Sequence, residues 1–178
     1  MSSPIVDTTA SELRKVKRLA DLAVDQLDDE QVWRRIDADS NSVGVLMRHM
    51  AGNMRSRWTD FRTTDGEKPD RHRDQEFEDV AIGRQELLAE WEDGWQRLFD
   101  ALSSISDADL QDTIYIREEP HTIHRAIVRQ IVHYAGHAYQ ILALGKHLKG
   151  SDWKTLSVPR GKSDEFNQRV LAEQRARE

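Results

Sequence analysis

The sequence predicts an all-α four-helix bundle, and three observations carry that expectation. Apolar residues recur at three- and four-residue steps in four long stretches, the period of a helix with one buried face. Glycine and proline are scarce, 9 and 4 in 178 residues, and no proline interrupts a periodic stretch. A chain of this length fits one domain and buries roughly 70% of its unfolded surface, so it needs no disulfide or metal merely to fold.

The first helix is expected from Ser11 to Asp28, with Leu13, Val16, Leu19, Ala20, Ala23, Val24 and Leu27 on one face. A short polar connector carrying Trp33 and Ile36 follows. Ser40-Asn41-Ser42 is an N-cap cluster for a second helix reaching about Arg62, with the stripe Val43, Met47, Met50, Met54, Trp58 and Phe61. Residues 62–78 (RTTDGEKPDRHRDQEFE) have almost no apolar content and mixed charge, so they read as a solvated loop with Asp65-Gly66 as a turn. A third helix is expected from Asp79 to Ser104. Its seam is Val80, Arg84, Leu87, Leu88, Trp91, Trp95, Leu98, Leu102 and Ile105, with the two tryptophans as core residues. Thr113 to Arg117 alternates as a short extended segment, and Glu118-Glu119-Pro120 turns the chain. Thr122 caps the fourth helix, which Gly150 stops after Lys149. The domain is thus residues 1–150. Residues 151–178 form an extension, irregular to about 167 and packed partly on the bundle, with the last ten or so residues frayed or helical and exposed.

Composition removes several classes of function. Mean hydropathy is −0.74, and no run approaches the roughly 18 apolar residues of a membrane span. The N-terminal MSSPIVDTTA lacks the basic and apolar regions of a secretory signal, so the expected location is cytoplasmic. A formal charge of −6 argues against nucleic acid as a partner. There is no cysteine, so any metal is held by His, Asp or Glu.

The chemistry-bearing residues are histidines, seven in all. On the fourth helix the spacing turns His133 and His137 toward the apolar face together, one turn apart. Side chains at that spacing have Cβ atoms about 5–6 Å apart. Two readings compete: a hydrogen-bonded pair of core histidines, or a pair sharing one ion that satisfies their ring nitrogens. His49 flanks the core of the second helix on a semi-polar strip with Ser42 and Asn53, and can complete a three-histidine set. His72 and His121 are expected in solvent. Asn53 and Arg129 are candidate substrate-binding residues, Arg125 a solvated helix position, and Arg160 and Lys162 lie in a segment that could cover the site. Tyr134 is expected in the core.

The motif SVGVLMRHMAGN in the second helix and QIVHYAGHAYQI in the fourth resemble the DinB/YfiT-like superfamily. TTDGEKP and LSVPRGKSDEFN resemble a branch of it known as a domain of unknown function. The resemblance covers about residues 8–167. It implies a four-helix bundle of up-down-down-up connectivity and a divalent metal, Zn or Ni, on His49, His133 and His137. Some relatives are metal-dependent enzymes that use a low-molecular-weight thiol, so a thiol S-transferase acting on a small-molecule substrate is the activity implied. A hydrolase is the other enzymatic expectation. Two further readings stand beside it: a non-catalytic module binding a metal or small ligand, and a structural metal site in a homodimeric interaction protein. A homodimer is the expected assembly.

Overall fold

A computed structural model describes residues 3–78 and 82–176. It is mostly helical, with six α-helices and one two-stranded sheet among the described residues. Helix α1 spans Pro4–Val24, starting earlier than expected. Ser3 caps it by accepting from the Val6 amide at 3.2 Å, and Pro4 occupies the first turn, where its missing N–H costs nothing. The Ser3 hydroxyl also donates to the Asp107 carboxylate, tying the helix start to a distant turn. The polar connector contains a one-turn helix, α2 (Asp29–Trp33), closed by a reciprocal cap between Asp28 and Gln31.

Helix α3 (Val43–Trp58) starts at Ser42, whose side chain accepts from the Val45 amide at 3.2 Å. It ends four residues before the expected Arg62, although Phe61 stays buried in the turn beyond. Helix α4 (Arg84–Ser103) begins after Gly83. The expected start at Asp79 and the stripe residue Val80 lie outside the described residues. Strands β1 (Thr113–Ile116) and β2 (Glu119–Thr122) form an antiparallel hairpin, pairing Ile114 with His121 and Ile116 with Glu119. The turn is therefore Arg117-Glu118, not Glu118 to Pro120. Both turn residues have positive φ, 56° and 62°, which a two-residue hairpin turn of primed type requires. Asp65 holds this strained pair, its carboxylate accepting from the Arg117 and Glu118 amides at 2.8 Å each.

Helix α5 (Ile123–Lys149) is capped by Thr122 and stopped by Gly150 at φ 58°, as expected. In the extension, Trp153 and Leu156 pack on the core. A helix, α6 (Ser163–Arg175), begins inside the stretch expected to be irregular; none of its residues is buried. Charged residues dominate its sequence, which gives little apolar surface to dock.

Helix α3 packs against α4 and α5, and α1 against α5 and α4. Between them lie Leu13, Met47, Met50, Met54, Leu87, Trp91, Trp95, Leu98, Tyr134 and Ile141, all fully buried. Each contributes about 1.5–3 kcal/mol through burial. The Trp91 indole N–H donates to Asp21 at 2.8 Å, so this core ring also satisfies its polar atom. Close approach of α3 and α4 depends on Gly94, where a Cβ would stand 2.8 Å from the Ala51 Cα. Gly94→Ala is expected to lower stability. Overpacking costs about 1–3 kcal/mol and exceeds the helix-propensity gain of up to about 1 kcal/mol. A denaturation midpoint equal to or above that of the unaltered chain would refute this close-packing account.

Candidate metal centre

Helix α5 places His133 and His137 one turn apart, and α3 brings His49 against them. One ring nitrogen from each of the three lies within 4.8 Å of the others. Ring centroids are 5.4 Å apart for His49 and His133, 5.1 Å for His49 and His137, and 4.6 Å for His133 and His137. The positions are set by buried neighbours on the same helices: Met50 and Met54 on α3, Tyr134, Ala138 and Ile141 on α5.

The structure corrects the expectation that His49 merely flanks the core: it is 4% exposed. What buries it is the segment expected to be a solvated loop. Residues Arg73–Phe77 form a 3-10 turn that crosses α3. The Phe77 ring sits 4.7 Å from the His49 ring, and His49 Nδ1–H donates to Glu76 Oε2 at 2.9 Å. A carboxylate only accepts, so Nδ1 carries the proton of this bond and Nε2 is the ring nitrogen left for another partner. His137 Nδ1–H donates in the same manner to Gln140 Oε1 at 2.7 Å. His133 Nε2 is buried and has no hydrogen-bond partner.

Glu76 is itself gripped from behind. Arg71 donates to both its oxygens at 2.8 Å, through Nε and Nη2, a bidentate pair of a fixed geometry. Arg71 also reaches Glu67 at 3.3 Å, and Glu67 accepts from Arg57 at 2.9 Å and Arg117 at 3.0 Å. The Gly66 amide donates to the Tyr115 carbonyl at 2.8 Å, which fastens the loop to the hairpin. Gly52, three residues after His49, leaves the room: a Cβ there would stand 2.2 Å from Glu76 Oε1. Glu76, Phe77, Arg71 and Gln140 were not expected at the site. The available signals were the lone apolar Phe77 in a charged stretch and a glycine one turn past a histidine.

The electrostatics favour neutral imidazoles at His133 and His137. Burial pushes His133 down to about 3, with the neighbouring His137 and His49 adding to the effect. Burial likewise lowers His137, against the opposing hydrogen bond to Gln140. Burial alone would raise the Glu76 carboxyl, but the hydrogen bonds from His49 and Arg71 and the Arg71 charge outweigh it and hold it below the usual carboxylate range.

These directions fix a pH dependence. A histidine held neutral binds fewer protons folded than unfolded, so its stability contribution is complete above about pH 6.5 and is lost as the pH falls below. The metal-free protein is expected to lose melting temperature between about pH 6.5 and 5, before most carboxylates titrate. His133→Asn should flatten that decline. An unchanged profile in this variant would show that His133 is not held neutral.

Asn53 and Arg129, expected to bind substrate, share one cavity of about 250 Å³ with His133, Arg57, Gln130 and Val132. Asn53 is buried, and its Oδ1 accepts from the Tyr134 hydroxyl at 3.1 Å; Tyr134 accepts from the Trp58 indole at 3.1 Å. Tyr134 is a core residue as expected, its hydroxyl pushed to higher pKa by burial. Arg125 is exposed and within 3.5 Å of Glu119. Arg160 and Lys162 are exposed, and Lys162 pairs with Glu165 at 2.5 Å on the surface. His72 is exposed as expected. His121 is not: hairpin pairing turns it inward, where it is 4% exposed and neither ring nitrogen has a hydrogen-bond partner. A second cavity, of about 600 Å³, lies on the far side of Arg71 and Glu76 and touches none of the three histidines.

Three clustered imidazoles, one with an orphaned buried nitrogen, fit a borderline divalent ion. Among the described residues, no carboxylate or fourth histidine joins the three nitrogens. No helix of the described residues is long and apolar enough to cross a membrane.

A family model described as "Protein of unknown function (DUF1572)" matches residues 1–162. No curated protein and no solved structure matches the chain. The chain belongs to the DUF1572 family.

Proposed function

We propose that this member of the family is a DinB-like metalloprotein in which His49, His133 and His137 hold one divalent ion, Zn²⁺ or Ni²⁺, for thiol S-transfer to a small-molecule substrate. The observation that carries the reading is the convergence of three imidazole nitrogens, one buried and without partner, with no carboxylate or fourth histidine beside them among the described residues. Structural zinc sites are closed by four protein ligands, whereas catalytic ones keep a position open. The packing of α1, α3, α4 and α5 supports reading them as the four helices of a DinB-like bundle.

When bound, such an ion supplies Lewis acidity, drawing the pKa of a thiol or water toward neutrality. The chain supplies the rest. Glu76 and Gln140 engage Nδ1 of His49 and His137 and fix their ring angles, which leaves Nε2 of each as the nitrogen for the ion. Phe77 and the 3-10 turn exclude water from one side of His49. The core beneath, including Tyr134, Ala138 and Ile141, holds the helices at fixed separation. The chain has no cysteine, so the thiol comes from a second small molecule.

The test is spectroscopic. A Co²⁺-substituted sample given a low-molecular-weight thiol should develop a sulfur-to-metal charge-transfer band. His49→Ala should abolish the band, and Lys162→Ala, on the surface, should leave it. No band with any of several cellular thiols at neutral pH would overturn the thiol reading and leave a water-activating hydrolase or a binding module in front.

A further inference from the structure

The cavity beside His133 is built from two facing helices, with Asn53 and Arg57 one turn apart on α3 and Arg129, Gln130, Val132 and His133 on α5. Its polar atoms are unusually unsatisfied. Arg57 is buried and spends its terminal nitrogens on Glu67 and the Gly66 carbonyl, while its Nε–H is buried without an acceptor. The Gln130 side-chain oxygen is buried without a donor. Arg57 shares Glu67 with Arg71 and Arg117, and Arg129 makes no hydrogen bond or ion pair among the described residues, so the two arginines lining the cavity leave it with net positive charge. Unpaired buried polar groups cost about 1–3 kcal/mol each, so a site that carries two of them is matched to something that fills both.

We propose that this cavity is a carboxylate subsite, taking the α-hydroxy- or α-amino-carboxylate end of the small molecule that reacts at the three histidines. The Arg129 fork and Arg57 Nε–H supply donors for one carboxylate, a geometry guanidinium groups favour. Gln130 Oε1 accepts from the neighbouring hydroxyl or ammonium. The volume of about 250 Å³ holds a fragment, not a whole cofactor: at roughly 30 Å³ per water-sized group it fits about eight heavy atoms. Because His133 is one wall, the remainder of such a ligand extends toward the candidate metal position. The inference rests on the proposed metal enzyme only for what the bound molecule does there; carboxylate binding itself needs no ion.

The experiment is calorimetric titration of the full chain, metal-free and Zn²⁺-loaded, with L-lactate, propionate and lactamide. Lactate is expected to bind both forms with a dissociation constant on the order of 1 mM, propionate more weakly, and lactamide not measurably. Arg129 is exposed, so Arg129→Gln should fold normally and weaken lactate at least about tenfold, the loss expected for a charged hydrogen bond. Val132→Glu, at a 70% exposed position, should block the site by placing a carboxylate beside Arg129. Lactamide binding as tightly as lactate, or an affinity unchanged in Arg129→Gln, overturns the proposal. Lactate binding only to the Zn²⁺ form and insensitive to Arg129→Gln overturns it too, because the ion then takes the carboxylate. Zinc content measured on the same samples separates the two readings. Lactate bound with no zinc uptake upholds the subsite and removes the metal, whereas one zinc per chain with no lactate does the reverse.

Discussion

Replacing His133 and His137 together by alanine should abolish the stoichiometric binding of a divalent ion proposed above. Each imidazole is a direct ligand on the proposed reading, so each loss should exceed the 10–100-fold (about 1.4–2.7 kcal/mol) that loss of an outer partner costs. Removing two leaves His49 alone, which is no site. The variant should nevertheless stay helical. The residues between and beside them, Tyr134, Ala138 and Ile141, carry the packing of α5 and do not depend on the rings. Equilibrium dialysis against Zn²⁺, with circular dichroism on the same samples, checks both halves. Wild-type affinity in the double variant would place the ion elsewhere or nowhere. Loss of the helical spectrum would assign the histidines a structural role instead.

Removing the carboxylate behind His49 has the second-largest effect. Glu76→Ala deletes the acceptor for His49 Nδ1–H and one side of the bidentate pair with Arg71. Metal affinity should fall about 10–100-fold. Stability should fall as well, by up to about 3 kcal/mol, because Arg71 is 5% exposed and keeps only the longer contact to Glu67. Gly52→Ala should reproduce the loss of affinity by displacing the carboxylate, since the new Cβ would overlap Glu76 Oε1. The two effects must run through His49. In a His49→Ala background, Glu76→Ala should weaken the residual metal binding no further. An additional full 10-fold loss there would mean that Glu76 acts on the ion directly or through the loop.

The helix period made part of this site legible. His133 and His137 lie on one helix, and their shared direction follows from four residues of spacing and the apolar positions around them. His49 was legible as a position on α3 but not as a buried one, because the residues that bury it belong to another segment. That segment hid its role in its composition. Residues 62–78 are mostly charged, yet Glu67, Arg71 and Glu76 are paired with one another and with Arg57 and Arg117 in a chain running from the hairpin to His49. Charge that is internally paired and charge that is solvated look alike along a sequence. His121 failed for a related reason. Its burial is set by the register opposite Ile114, a pairing that Pro120 in the second strand disguised. The early start of α1 was readable in Ser3 and Pro4, a cap followed by a first-turn proline.

The most direct measurement of the central claim is the metal content of the full chain, purified without an affinity metal and analysed for all divalent transition ions. The account predicts about one Zn²⁺ or Ni²⁺ per chain, removed by chelator without unfolding and lost in His49→Ala. A chain that carries no ion as purified and takes up none from excess Zn²⁺ or Ni²⁺ at neutral pH would contradict it, leaving three histidines packed together as core.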